Sequence, residues 1–293
     1  MLREWLFNTG TVQINVAEGP PSGPPLILLH GLPGRWQEFL PILPGLSLQW
    51  HTYALDFRGQ GKSGRVPGQY QAKYYRADVQ QFLWQQLHEP AVLFGLSAGG
   101  AVALAVAADC PERVRGLIVG DSPIDMDALV AWMTSEGFKY WFSALRELAG
   151  KGLSIAALTH RIADIPVQSP GQDTPVRYGE LSGTDAMAIQ ELAITLRHMD
   201  PGVLEYHAEG RASEFLEGFV LDSVLARITS PVLLIQGNPA LGGMMTDRVV
   251  KQVQSILPGS VHVLIETAGH GLGMDTWEVA PLIRAVSAFL QSL

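Results

Sequence analysis

Cysteine is nearly absent: Cys110 is the one example among 293 residues, which excludes an internal disulfide and a cysteine-rich metal centre. Cys110 falls in Asp109-Cys110-Pro111, at the predicted end of a helix, where a structural role is expected. The eight histidines include no His-x-x-x-His pair and no carboxylate pattern of metal-ligand type, so neither metal nor cofactor is expected. No stretch approaches the roughly 18 uninterrupted apolar residues of a membrane span. Met1-Leu2-Arg3-Glu4-Trp5 also lacks the charged-then-apolar run of a signal peptide, and a cytoplasmic location is expected. Charge is sparse, at 16% of residues, and acidic in balance, with a formal net charge of -8. Such a chain is a poor partner for nucleic-acid phosphate. Internal repeats and low-complexity segments are missing as well.

What the chain has is apolar residues, 47% of the total, enough for a substantial buried core in one or two domains. Glu4 to Asn8 and Thr11 to Ala17 read as an N-terminal hairpin that turns at Thr9-Gly10. Beyond the Pro/Gly-rich Gly19 to Pro25, short apolar runs recur at Leu26 to Leu29, Thr52 to Leu55, Ala91 to Phe94, Gly116 to Val119, Pro231 to Ile235 and Val261 to Ile265. Leu26 to Leu29 is typical of a strand buried on both faces, Gly116 to Val119 reads as a further buried strand, and the other runs read as strands. Helical patterns lie between them at Tyr74 to Leu87, after Ser97 to about Asp109, at Thr246 to Ile256 and at Val279 to Leu290. The alternation requires parallel pairing with helices on both faces, and in such sheets functional groups gather at the carboxyl ends of the strands.

From Ser122 to about Ser230 the rhythm changes. Asp127 to Ala149 is a helical pattern carrying Leu129, Trp132, Met133, Phe138, Trp141, Phe142, Leu145 and Leu148. A loop is expected from Ile165 to Gly179, and a second helix from a Thr184-Asp185 cap to Met199, broken by Asp200-Pro201-Gly202. With no convincing strand, residues 122–230 read as a helical insertion over the strand ends. Residues 1–121 and 231–293 then form one discontinuous core.

Gly95-Leu96-Ser97-Ala98-Gly99-Gly100 is wedged between the predicted strand from Ala91 and the small-residue helix that follows. A sharp strand-to-helix turn would lift the Ser97 hydroxyl above the sheet at a fresh helix N-terminus, the position of a nucleophile. A glycine-rich turn with an incidental serine is the competing reading of this motif alone. His30-Gly31-Leu32-Pro33-Gly34 follows another strand and must expose backbone amides in a loop. The amides of Leu32 and Ala98 are candidate oxyanion donors, while His30 is read as propping the loop. Asp56-Phe57-Arg58-Gly59-Gln60-Gly61-Lys62-Ser63 lacks phosphate-loop spacing and reads as a tight surface turn pinned by Asp56 and Arg58. Ala268-Gly269-His270-Gly271 follows the last predicted strand.

With the His30-Gly31 loop, the Asp56 to Ser63 turn, the Gly95 to Gly99 elbow and Gly269-His270 in this order, the chain resembles the α/β-hydrolase superfamily over nearly its whole length. The resemblance implies a mostly parallel eight-stranded sheet, a cap inserted after the sixth strand, and a Ser, acid, His triad in that chain order. Ser97 corresponds to the nucleophile and His270 to the general base. The acid departs from the usual pattern. The loop after Val232 to Ile235 reads Gln236-Gly237-Asn238-Pro239-Ala240-Leu241-Gly242-Gly243, with no carboxylate before Asp247. Some members carry the acid after the preceding strand, which here nominates Asp121, with Asn238 as a neutral partner nearby. A plain helix-capping role for Asp121 is the alternative, although Asp125 or Asp127 would serve as well.

These residues imply a serine hydrolase that cleaves a small to medium, mainly hydrophobic carboxylic ester through an acyl-enzyme. Trp132, Phe138, Trp141, Phe142 and Met187 are candidate pocket residues, against the alternative that they are ordinary packing. The same triad would also serve a C–C bond, an amide or a thioester. A hydrolase-shaped ligand-binding protein with little turnover is the remaining alternative, and Asn238 is what suggests it.

Overall fold

The computed structural model describes residues 2–167, 174–181 and 186–293. Strands β1 (Arg3–Asn8) and β2 (Gln13–Glu18) form the expected hairpin, pairing antiparallel from Arg3↔Glu18 to Asn8↔Gln13. After β3 (Pro25–Leu29), a short helix α1 (Leu43–Leu46) leads to β4 (His51–Leu55). The chain continues through α2 (Ala72–Gln86), β5 (Ala91–Leu96), α3 (Ala98–Asp109) and β6 (Val114–Gly120).

The segment after β6 holds α4 (Met126–Thr134), α5 (Glu136–Leu148) and α6 (Ile155–Ala163). Two-residue strands β7 (Pro166–Val167) and β8 (Val176–Arg177) follow, then α7 (Ala186–Arg197), α8 (Glu205–Ala208), α9 (Ala212–Phe215) and α10 (Leu221–Leu225). The sheet then resumes with β9 (Val232–Gly237), α11 (Asp247–Ile256), β10 (Val261–Ile265) and α12 (Ala280–Gln291).

Eight strands lie in the order β1-β2-β4-β3-β5-β6-β9-β10. β2 runs antiparallel to both its neighbours and every pairing from β4 to β10 is parallel. Alternate residues of the central strands supply two separate cores. Ile27, Leu29, Leu93 and Val119 pack with α2, α3 and the helices after β6. Leu26, Leu28, Phe94 and Ile118 pack with Trp36, Phe39 and the Leu282, Val286 and Phe289 face of α12. A strand buried on both faces has no polar side to show, which is why these segments are unbroken apolar runs.

Four local expectations are corrected. The pattern from Asp127 to Ala149 is two helices rather than one. Ser135 takes extended dihedrals (φ -65°, ψ 142°), and its hydroxyl accepts the Phe138 amide, so α5 starts afresh there. The segment expected to lack strands contains the antiparallel β7–β8 ladder, Pro166↔Arg177 and Val167↔Val176. The Tyr178 amide donates to the Ile165 carbonyl beside it. α6 was not anticipated. The Asp56 to Ser63 turn is buried rather than superficial, with Asp56 and Arg58 each 1% exposed. Arg58 donates twice to the Asp78 carboxylate, at 2.7 Å from both Nε and Nη2, and Asp56 accepts the Trp36 and Lys62 amides. The Thr184-Asp185 cap expected for α7 lies outside the described residues.

Candidate active site

The junction of β5 and α3 is too tight for any side chain but hydrogen at two positions. A Cβ on Gly95 would lie 2.2 Å from the Gly99 carbonyl oxygen, and one on Gly99 would lie 2.2 Å from the Leu29 carbonyl oxygen. Both obstacles are backbone, so both glycines are required by the close approach. Between them Ser97 takes φ 54°, ψ -123°, in the left-handed half of dihedral space, as the residue that caps α3. Its amide is held by the Gly120 carbonyl at 2.9 Å, and its carbonyl accepts the Ser122 hydroxyl at 2.6 Å. The hydroxyl is thereby lifted off the carboxyl end of β5, where it meets the loop after β10.

There the His270 Nε2 lies 2.9 Å from Ser97 Oγ, and His270 Nδ1 lies 2.7 Å from Asp121 Oδ2. Asp121 follows β6, is fully buried and has φ 34°. Its carboxylate also accepts backbone amides from Gly237 (2.9 Å), Met244 (2.7 Å) and Met245 (3.1 Å). The loop after β9 thus carries no acid of its own and instead wraps the Asp121 carboxylate with its amides. Four donors converging on one carboxylate compensate its burial and fix its direction. An imidazole held in this way presents Nε2 as an acceptor to the hydroxyl, the arrangement that lets a histidine take a serine proton.

The upstream loop is built around His30, which has no solvent exposure. Its Nδ1 lies 2.7 Å from the Gly31 carbonyl, and its Nε2 accepts the Phe57 amide at 3.0 Å. Burial lowers its pKa, outweighing the nearby Asp56 charge. A neutral ring with both nitrogens engaged locks the turn. Leu32-Pro33 is a cis peptide. The amides of Leu32 and Ala98 donate to no protein acceptor among the described residues, and both residues line the cavity that opens at Ser97.

Asn238 is not brought to the His270–Asp121 pair. Its side chain donates to the Glu266 carbonyl at 2.7 Å and accepts the Ala240 amide at 2.9 Å, bracing the loop after β9. Both of these partners lie outside the Ser97, His270 and Asp121 set.

A cavity of about 1280 Å³ lies between the strand ends and the segment from α4 to α9. Trp132, Phe138, Trp141 and Phe142 line it together with Ser97 and His270. Met187 does not; it borders a separate cavity of about 240 Å³ beside Arg35. α7 turns Ile189, Ala193 and Leu196 into the core, which leaves Met187 on its outer side, 45% exposed.

Three residues of this region were not anticipated. Ser122 braces the Ser97 carbonyl, and its place directly after Asp121 was the available signal. Glu38 borders a smaller cavity of about 220 Å³ with Ser97 and His270, and its Oε2 accepts the Gly31 amide at 2.9 Å. Burial pushes its carboxyl up to about 7, against the lowering influence of the Gly31 amide and of His270. His207 lines the large cavity from α8. No spacing in the sequence marks Glu38 or His207.

A family profile for the α/β hydrolase fold matches residues 24–159. Relatives include the magnesium-chelatase 30 kDa subunit of Rhodobacter capsulatus, 29% identical over 222 residues that cover 75% of this chain and 72% of the relative. A pimeloyl-(acyl-carrier protein) methyl ester esterase of Edwardsiella ictaluri is 27% identical over 247 residues, covering 84% of this chain and 85% of that protein. Among solved structures, E-2-(acetamidomethylene)succinate hydrolase superposes with a TM-score of 0.71 at 21% identity, covering 99% of this chain and 100% of the other. That last likeness is one of fold.

Proposed function

We propose that the chain, which has the α/β-hydrolase fold, is a hydrolase that cleaves a small to medium, mainly hydrophobic carboxylic ester through an acyl-enzyme on Ser97. The observation that carries this reading is the unbroken chain Ser97 Oγ, His270 Nε2, His270 Nδ1, Asp121 Oδ2, with links of 2.9 and 2.7 Å. His270 takes the Ser97 proton as Oγ attacks the ester carbonyl, and Asp121 stabilises the imidazolium that forms. The oxyanion is received by the Leu32 and Ala98 amides, the second of which sits at the positive end of α3. His270 returns the proton to the leaving alcohol, then activates water to release the acid and regenerate Ser97. His30, Gly31 and Glu38 hold the donor loop.

In this reading residues 122–230 are a cap that closes over the ester, and its aromatic wall favours an uncharged apolar substrate. The wall draws on Trp132, Trp141 and Phe142. The alternative of a binding protein with little turnover rested on Asn238 replacing the acid. Asp121 at 2.7 Å from His270 supports the hydrolase reading over it. An amide, thioester or C–C bond would use the same groups, so a substrate panel including each separates them from esters.

The decisive measurement is labelling by a fluorophosphonate probe, which traps an activated serine. Wild-type protein is expected to label and Ser97→Ala protein not to label. A folded wild type that stays unlabelled overturns the proposal.

A further inference from the structure

The large cavity has an apolar wall with one feature that apolar packing does not account for. His207, on α8, is 7% exposed and packs among phenylalanines, with ring centroids 4.8 Å from Phe215, 5.0 Å from Phe142 and 6.3 Å from Phe138. Neither ring nitrogen has a hydrogen-bond partner among the described residues, and Nδ1 is sealed from solvent. Burial depresses the ring's pKa to about 4, so at neutral pH it is an uncharged imidazole with one N–H and one lone pair. The Nδ1 position is unmet in a medium where unmet polar groups are penalised, whereas Nε2 is not sealed from solvent and is the ring nitrogen left open to a ligand. A phenylalanine or leucine would fill the same space without that penalty. The ring nevertheless lines the cavity that holds Ser97 and His270.

We propose that His207 is the specificity residue of this cavity: it hydrogen-bonds an uncharged polar group, a hydroxyl or an amide or ketone carbonyl, carried on the apolar chain of the ester whose carbonyl reaches Ser97. The proposal rests on the ester-hydrolase reading above and narrows its substrate class from plain hydrophobic esters to polar-tipped ones. A carboxylate is the wrong occupant. No lysine or arginine lines the cavity among the described residues, and the one acidic residue at its wall, Glu136, has its side chain 92% exposed and is paired with Lys139. A charged tip would therefore enter an aromatic wall with no counter-charge, whereas an uncharged tip satisfies the imidazole and leaves the rest of the chain in apolar contact.

The test uses p-nitrophenyl esters of straight-chain acids from acetyl to dodecanoyl, each longer member prepared with a methyl end, an ω-hydroxyl and an ω-carboxylate. In wild-type protein the hydroxyl-tipped ester is expected to exceed its methyl-ended counterpart by about tenfold in kcat/KM at one chain length, the size of one good hydrogen bond. In His207→Phe that ratio is expected to fall to one or below. The ω-carboxylate should gain no advantage at any length. A ratio of one at every length in wild type, a preference that survives in His207→Phe, or a carboxylate preferred over the hydroxyl overturns the proposal.

A second measurement decides the matter if His207→Phe fails to fold or if no ester is cleaved. In Ser97→Ala protein carrying isotope-labelled histidine, saturation with the hydroxyl-tipped ester should shift the His207 ring-nitrogen resonance, and the methyl-ended ester should not. No shift, or the same shift with both, overturns the role of His207. Absent cleavage together with a specific shift would sink the ester-hydrolase reading while the His207 site stands.

Discussion

Ser97 and Asp121 share a backbone state that side chains other than glycine avoid, at φ 54° and φ 34°. Such conformations cost on the order of 1 kcal/mol or more each, and they persist where surrounding structure over-determines them. For Asp121 the surroundings are the amide of Gly237 at the end of β9, those of Met244 and Met245 in the following loop, and His270. Replacing Asp121 by Asn keeps the shape and removes the charge that orients and stabilises the imidazolium. Turnover is expected to fall by about 10³–10⁴-fold with folding intact. Asn238→Ala should lower it by no more than a few-fold, because that side chain braces a loop through Glu266 and Ala240. Asn238→Asp should not rescue Asp121→Asn, since the side chain at 238 is engaged with Glu266 and Ala240 and not with the histidine. Steady-state kinetics on the four proteins check this, and the assignment fails if Asp121→Asn keeps near-wild-type turnover or if Asn238→Asp restores it.

The elbow between β5 and α3 is rigid because α3 lies buried from Ala98 to Ala108 and crosses directly over the end of β3. Adding one methyl at Gly99 drives it to 2.2 Å from the Leu29 carbonyl and 2.7 Å from the His30 carbonyl. Neither strand nor loop has room to yield, so Gly99→Ala should destabilise the fold by at least roughly 1–3 kcal/mol, the ordinary range for overpacking. Urea unfolding followed by circular dichroism reads the loss; an unchanged midpoint would mean that the junction is looser than this geometry. The elbow was legible because its glycines are demanded by backbone contact, which leaves a fixed spacing in the sequence. The central parallel strands β3, β5, β6 and β9 were legible for a similar reason, since burial on both faces suppresses alternation. The start of α5 at Ser135 was hidden inside a continuous apolar pattern, because the registers of α4 and α5 both point large residues at the same cavity. Glu38 was invisible for a different reason: its carboxyl reaches the site by folding back onto Gly31, and no periodicity records such a return. His207 was hidden because a four-residue helix is too short to show a face.

His207 and Glu38 also set opposing pH dependences on the stability of the folded chain. His207 moves from 6.5 in the open chain to about 4 when folded. Between those values the unfolded state binds more protons than the native state, so stability rises with pH through that window. Glu38 moves the other way, from 4.5 to about 7. Through its window the native state holds the proton that the unfolded state has lost, and stability falls as pH rises. Each effect is on the order of 3 kcal/mol when fully developed. In the overlap the two slopes oppose one another, and their joint contribution is nearly flat. Removing one group at a time exposes the other. Relative to wild type, His207→Phe should lose stability progressively between about pH 4.5 and 6.5, where the rise due to His207 is gone. Glu38→Gln should gain stability progressively as pH rises from about 4.5 to 7, since the fall due to Glu38 is gone. Differences from wild type cancel every other titrating group, so urea midpoints measured across this range isolate the two terms. Variant curves that run parallel to wild type would show that neither side chain keeps its unusual proton affinity in the folded protein. Curves that diverge in the expected directions would place a neutral imidazole and a readily protonated carboxyl on the walls of the two cavities that meet at Ser97.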